Sequence, residues 1–160
     1  MIEAWLDKRH ILAMVFDLKT LTPTGGELFD GAFEMLKTFK ETKIKMGLVS
    51  FENRGWVNLT LDRLAVGEHF DYVGIVNGAD SYYGKIGSQD WRNAFDALRF
   101  WPQNGIVVGN GLPEDIYKIG VKYRVCVSRN GEMHSSSERP EGIVNIESVA
   151  HVARALLAAV

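Results

Sequence analysis

The chain has 160 residues, with 18 Lys and Arg against 20 Asp and Glu and a formal charge of −2. Hydrophobic residues make up 46% and charged residues 24%, a globular profile that excludes a disordered or fibrous chain. The near-neutral balance argues against general nucleic-acid binding, which needs clustered positive charge to release counterions.

Met1 to His10 carries Glu3, Asp7, Lys8 and Arg9 and lacks the apolar centre of a signal peptide. No apolar run approaches the ~20 residues of a membrane span, so the expectation is a cytoplasmic protein with no membrane association. The first strand is predicted at Ile11 to Phe16. Phe29, Ala32, Phe33, Leu36 and Phe39 then recur at helical spacing. Lys45 to Ser50 reads as the second strand. Trp56, Leu59, Thr60 and Leu64 give a less regular helical face between Arg54 and Val66. Tyr72 to Val76 is the third strand, and Trp91, Ala94, Phe95 and Leu98 mark the next helix. Gly105 to Val108 and Tyr123 to Val127 are strands four and five. Asn130 to Glu141 reads as a mobile polar loop, Gly142 to Ile146 as a short edge strand. Val149, Ala150, Ala153, Leu156 and Leu157 form a last helical face.

The strand runs are continuous rather than alternating, which suits strands buried on both faces of a parallel sheet. The predicted class is α/β, a doubly wound, mainly parallel, five- or six-stranded Rossmann-like sheet with helices on both faces. One domain is expected, over 1–160. Cys126 lies inside a strand and reads as a buried apolar residue; as the one cysteine it excludes an internal disulfide and a multi-cysteine zinc site. His10, His69, His134 and His151 show no metal-ligand spacing and read as structural or surface residues. Trp56 and Trp91 read as core, and Phe100-Trp101-Pro102 as core or an exposed contact patch.

In such sheets the ligand sits beyond the carboxyl ends of the strands, at the topological switch point. The residues there are Asp17, Ser50, Asn77 and Asn110. Each has a structural use as well. Asp17 could cap the following turn, and Ser50 could cap a helix near Glu52 and Asn53. Lys85, in Tyr83-Gly-Lys-Ile-Gly87, could be a solvated loop cation. Asn110-Gly111 could be a turn pair. Pro113 fits a helix start, where Glu114 and Asp115 suit the helix dipole.

Asp17 after strand one, Ser50 after strand two, Lys85 ahead of a helix, and Gly109-Asn-Gly-Leu-Pro-Glu-Asp115 after strand four occur in a telling order. This arrangement resembles the haloacid dehalogenase-like hydrolase superfamily over nearly the whole chain, and Gly109 to Gly131 looks like its phosphatase branch. The resemblance implies an aspartyl-phosphate on Asp17, which splits one hard step into two. Ser50 and Lys85 would bind the phosphoryl group, and Asp17, Asn110 and Asp115 would hold Mg²⁺. A phosphorylated small molecule or macromolecule is the implied substrate.

Two positions depart from the family pattern. Lys19 replaces the second Asp, two residues after the nucleophile, that serves as general acid and base. An ammonium has no lone pair with which to accept a proton. Asn110 replaces the usual metal-supporting Asp. Together the changes make the site about three charges more positive, so Mg²⁺ binding should weaken. Lys19 could place its ammonium near Asp17 in the cation's stead.

The gap from Asp17 to Ser50 holds a short turn and one helix, and Thr22 to Gly26 fits the family's small flap. Neither insertion point has room for a substantial cap. Capless relatives act on macromolecules or cover the site by forming homo-oligomers, which the resemblance extends to this chain. The expected function is therefore atypical phosphatase chemistry, with Lys19 as an unusual member of the catalytic set. The alternative is a non-catalytic descendant acting as an anion-binding or protein-interaction module. A receiver-like signalling domain is disfavoured, because strand three ends in Asn77 rather than Asp.

Overall fold

A computed structural model describes residues 11–22, 26–29, 31–76, 86–109, 112–121, 123–127 and 143–146. Its strands are β1 (Ala13–Asp17), β2 (Lys45–Ser50), β3 (Tyr72–Ile75), β4 (Gly105–Gly109), β5 (Tyr123–Val127) and β6 (Ile143–Ile146). They form one six-stranded sheet in the order β3-β2-β1-β4-β5-β6. Every adjacent pair is parallel. The helices are α1 (Leu18–Leu21), α2 (Ala32–Glu41), α3 (Arg54–Leu64) and α4 (Ser88–Leu98). Short 3₁₀ segments occupy Gly67–His69, Pro102–Asn104 and Glu114–Ile119.

The continuous apolar runs have the reason inferred for them. Side chains alternate across a strand, so a strand covered on both faces must be apolar at every position. In β1, Met14 and Phe16 enter a core with Met35, Leu36, Phe39, Val57 and Leu61 of α2 and α3. Ala13 and Val15 enter the opposite core with Trp91, Ala94 and Phe95 of α4. The sheet is thus covered on both faces, as the sequence pattern requires.

Strand boundaries shift slightly from the predicted ones. β1 begins at Ala13 and runs through Asp17, although Leu12 still donates its N–H to Asn104 and accepts from Lys45. β4 extends by one residue to Gly109, and β6 lies at the sheet edge as expected. The one-turn α1 carries no period long enough to announce itself.

Two helical faces differ from those predicted. In α2 the buried residues are Ala32, Met35, Leu36 and Phe39, whereas Phe33 is exposed and meets His69 edge-on. Phe29 lies before the helix and packs at the core's margin. In α3 the sheet-facing stripe is Val57, Thr60 and Leu61. Trp56 is exposed, and Leu59 is 71% exposed. The large apolar residues misled the pattern, because the stripe runs one position over, through Val57 and Leu61. Trp91 is core as expected, Trp101 is 73% exposed, and His69 is buried. Cys126 lies on β5, paired with Gly109 and Asn145. The predicted C-terminal helix and the polar loop lie outside the described residues, as do His10, His134 and His151.

Arg124, on β5, is a buried cation, and desolvation lowers its guanidinium pKa from the ordinary value. Asp71 ties the entry of β3 to β2. Its carboxylate accepts the Met46 N–H at 3.0 Å and lies 3.6 Å from the Lys45 ammonium.

Gly105 is where α4 comes closest to the sheet. A Cβ there would sit 2.1 Å from Cε1 of the fully buried Phe95 ring. At Gly47 a Cβ would meet the end of Leu98 at 3.2 Å, a contact a small shift can relieve. Gly105→Ala should therefore destabilise the protein by about 1–3 kcal/mol, as overpacked cores do, and Gly47→Ala by less. Urea-unfolding midpoints test this ordering; equal costs would mean that α4 is not closely seated on β4.

Candidate active site

Strand order places the site. From β1 the chain steps outward to β2 and β3, then returns to the other side of β1 as β4. The switch point therefore lies between the carboxyl ends of β1 and β4. Asp17 closes β1, paired with Val49 of β2, and the preceding Phe16 pairs with Val108 of β4. Ser50 closes β2 one residue beyond Val49. Neighbouring strands lie roughly 4.8 Å apart, so these ends share one short stretch of sheet edge.

Asp17 is 5% exposed. Its Oδ1 accepts the Lys19 N–H at 3.0 Å, and its carbonyl accepts the Thr20 hydroxyl at 2.6 Å. Asp17 is thus the N-cap of α1, the structural role considered for it. The cap does not displace a chemical role: a carboxylate offers about four lone-pair sites over two oxygens. It also fixes the orientation of the group.

The cap sets the start of α1 and so aims Lys19. The Lys19 ammonium lies 4.3 Å from the centroid of the Phe51 ring. Phe51 follows Ser50 directly, so this contact spans from the end of β1 to the end of β2. Ser50 is buried, and its Oγ accepts the Glu52 N–H at 3.1 Å, holding a tight turn there. The hydroxyl can still donate its proton elsewhere. The helix cap considered for Ser50 belongs to Asn53, whose Oδ1 accepts from Gly55 at 2.8 Å and Trp56 at 3.4 Å.

Asp115 lies in the 3₁₀ segment Glu114–Ile119, just after Pro113. Its Oδ1 accepts the Ser88 hydroxyl at 2.6 Å in an exposed pair. This bond ties the segment after β4 to the start of α4. Lys85, Asn110 and Asn77 lie outside the described residues, as does most of the expected flap. Gly109 is described: a Cβ there would meet Leu112 at 2.5 Å and Trp91 at 3.1 Å. Leu112 and Trp91 thus both close on the end of β4.

Phe51 and Ser88 were not singled out in the sequence. Phe51 had one available signal, its place directly after Ser50. Ser88 holds the Asp115 carboxylate through a contact that spacing does not encode.

Mg²⁺, which the sequence resemblance implies, takes near-octahedral oxygen ligands, usually one or two carboxylates with water and phosphate. Among the described residues no group of three or more His, Cys, Asp or Glu could hold a metal. Among the described residues, Asp17 is the one buried carboxylate at the strand ends, and a lysine stands two residues away. Asp115 is engaged by Ser88. Asn110, the third expected ligand, lies outside the described residues.

A fully parallel sheet covered on both faces, with a buried carboxylate at its switch point, defines a doubly wound α/β protein. Residues 3–117 match the family model of haloacid dehalogenase-like hydrolases, and the chain belongs to that family. The fold is similar to a HAD-superfamily hydrolase from Ehrlichia chaffeensis, with TM-score 0.61 and 17% identity over 82% of this chain and 58% of that one. It is also similar to a HAD phosphatase from Thermococcus onnurineus, with TM-score 0.60 and 18% identity, covering 82% and 59%. The chain therefore spans less than two thirds of either. An isolated core domain from Streptococcus pneumoniae is matched over 90% of this chain and 93% of that one, at TM-score 0.62 and 17% identity. No curated protein matches the sequence. Among the described residues no helix is long and apolar enough to cross a membrane.

The capping geometry makes a separable prediction. Asp17→Asn keeps a side-chain carbonyl for the Lys19 N–H and should change stability little. Asp17→Ala removes the acceptor and should cost about 0.5–2 kcal/mol. Thermal unfolding of both variants checks this; equal losses would show that the charge, not the cap, is what folding uses.

Proposed function

We propose that the chain is a phosphoryl-transfer hydrolase with Asp17 as nucleophile and without the usual acid–base carboxylate. The observation that carries this reading is the buried Asp17 carboxylate, oriented by its cap at the switch point of a family-typical sheet. A carboxylate oxygen of Asp17 attacks phosphorus, and the leaving oxygen departs with the bond electrons. Water then attacks phosphorus, releasing phosphate and regenerating the carboxylate. Ser50 donates a hydrogen bond to a phosphoryl oxygen. Lys85, by its place in the family pattern, neutralises phosphoryl charge.

Lys19 changes the balance of the two steps. General acid–base catalysis contributes roughly 10²–10⁴-fold, and an ammonium cannot take a proton from the attacking water. Dephosphorylation of Asp17 therefore becomes slow. The first step favours substrates whose leaving oxygen is stable as an anion, such as aryl and acyl phosphates. Alkyl phosphates would turn over much more slowly.

The similarity to the Streptococcus core domain supports reading this chain as having the family's core fold. A second reading, a non-catalytic anion-binding module, is favoured by Lys19, a cation two residues after Asp17 whose ammonium lies against Phe51.

Aryl phosphate hydrolysis, followed with and without Mg²⁺, distinguishes the two. The hydrolase reading predicts a burst of released phenol close to one equivalent per chain, then slow turnover. Asp17→Asn should lose both phases. The double variant Lys19→Asp with Asn110→Asp should speed the slow phase by about tenfold or more. No release from wild type, with phosphate binding retained, would instead establish the non-catalytic reading.

A further inference from the structure

The described groups at the ends of β1 and β2 include a held cation, which suits an anion. A phosphate dianion approaching Asp17 meets a carboxylate, and that repulsion must be offset by positive charge near the same strand ends. In this chain the residue two positions after Asp17 supplies an ammonium. Lysine alone is a flexible, strongly hydrated point charge that samples many rotamers. Here both ends of Lys19 are held. Its N–H donates to Asp17 at 3.0 Å, and its ammonium lies 4.3 Å from the Phe51 ring centroid. Phe51 is itself carried on the turn that the Ser50 hydroxyl closes with Glu52. One aromatic face thus keeps a cation at the boundary between the ends of β1 and β2.

We propose that Lys19, positioned by Phe51, is the fixed cation of a metal-independent phosphate site at the ends of β1 and β2. The inference rests on reading Asp17 as the phosphoryl-accepting residue. It adds that the phosphoryl group is recognised without a dication. Lys19 binds the anion directly. Phe51 is a positioning residue that acts through Lys19, by restricting where the ammonium can go. The ligand class is a terminal phosphate carrying two negative charges, on whatever group bears it.

Binding of inorganic phosphate to the full chain, measured calorimetrically in EDTA at low fixed ionic strength, tests this. Wild type should bind in EDTA, and added Mg²⁺ should change the affinity less than about twofold. Lys19→Met, which keeps the stem and removes the charge, should weaken binding about tenfold or more. Phe51→Leu should weaken it about two- to fivefold, the range of a partly exposed cation–π contact, while Phe51→Tyr restores it. The aromatic rescue separates positioning from simple packing, and circular dichroism confirms that each variant folds. Binding that requires Mg²⁺, or Lys19→Met binding as wild type does, overturns the proposal and leaves the Asp17 reading standing. Phe51→Leu binding as wild type does overturns the positioning role of Phe51. No phosphate binding in either condition overturns both readings.

Discussion

Everything in this fold is placed from β1, a strand flanked by strands on both sides and covered by helices on both faces. A strand so enclosed tolerates no polar side chain along its length, since a buried polar group without partners costs several kcal/mol. Asp17 occupies the place where the strand leaves the core. There its carboxylate can be satisfied by the first backbone N–H groups of the next turn. The constraint that excludes polar residues from Ala13 to Phe16 therefore concentrates the strand's one acidic group at the switch point. Core packing and site placement follow from the same rule.

That placement leaves room for the proposed chemical role beside the structural bond at one residue. The Asp17 cap holds the carboxylate in a single orientation and starts the short helix that carries Lys19. Catalytic groups gain most when they are fixed before the substrate arrives. Under the proposed function, Lys19 puts a cation in place of a base, so binding of an anion gains and proton transfer loses.

Much of the fold was legible because parallel, twice-buried strands have a plain signature. The runs at β2, β3 and β5 lie almost where their apolar residues indicate, and the order of Asp17, Ser50 and Asp115 along the chain follows the sheet. Helix orientation was less legible. Phe33, Trp56 and Leu59 are large and apolar yet exposed, because a helix's facing is set by the whole stripe that fits the sheet. In α3 that stripe is Val57, Thr60 and Leu61. Of the expected site residues, Asp17 and Ser50 stand at the ends of β1 and β2, where their sequence order put them. The site's contacts were not legible: the Phe51 ring meeting Lys19 and the Ser88 hydroxyl meeting Asp115 join segments far apart in sequence, or turn on rotamers that no spacing records.

The central claim is that Asp17 takes up a phosphoryl group and releases it slowly. Acid quenching within the first turnover of an aryl phosphate, followed by peptide mass analysis, tests that most directly. The account predicts one added phosphoryl group on the peptide containing Asp17, accumulating in wild type and absent in Asp17→Asn. Sustained hydrolysis by wild type that persists undiminished in Asp17→Asn would contradict it.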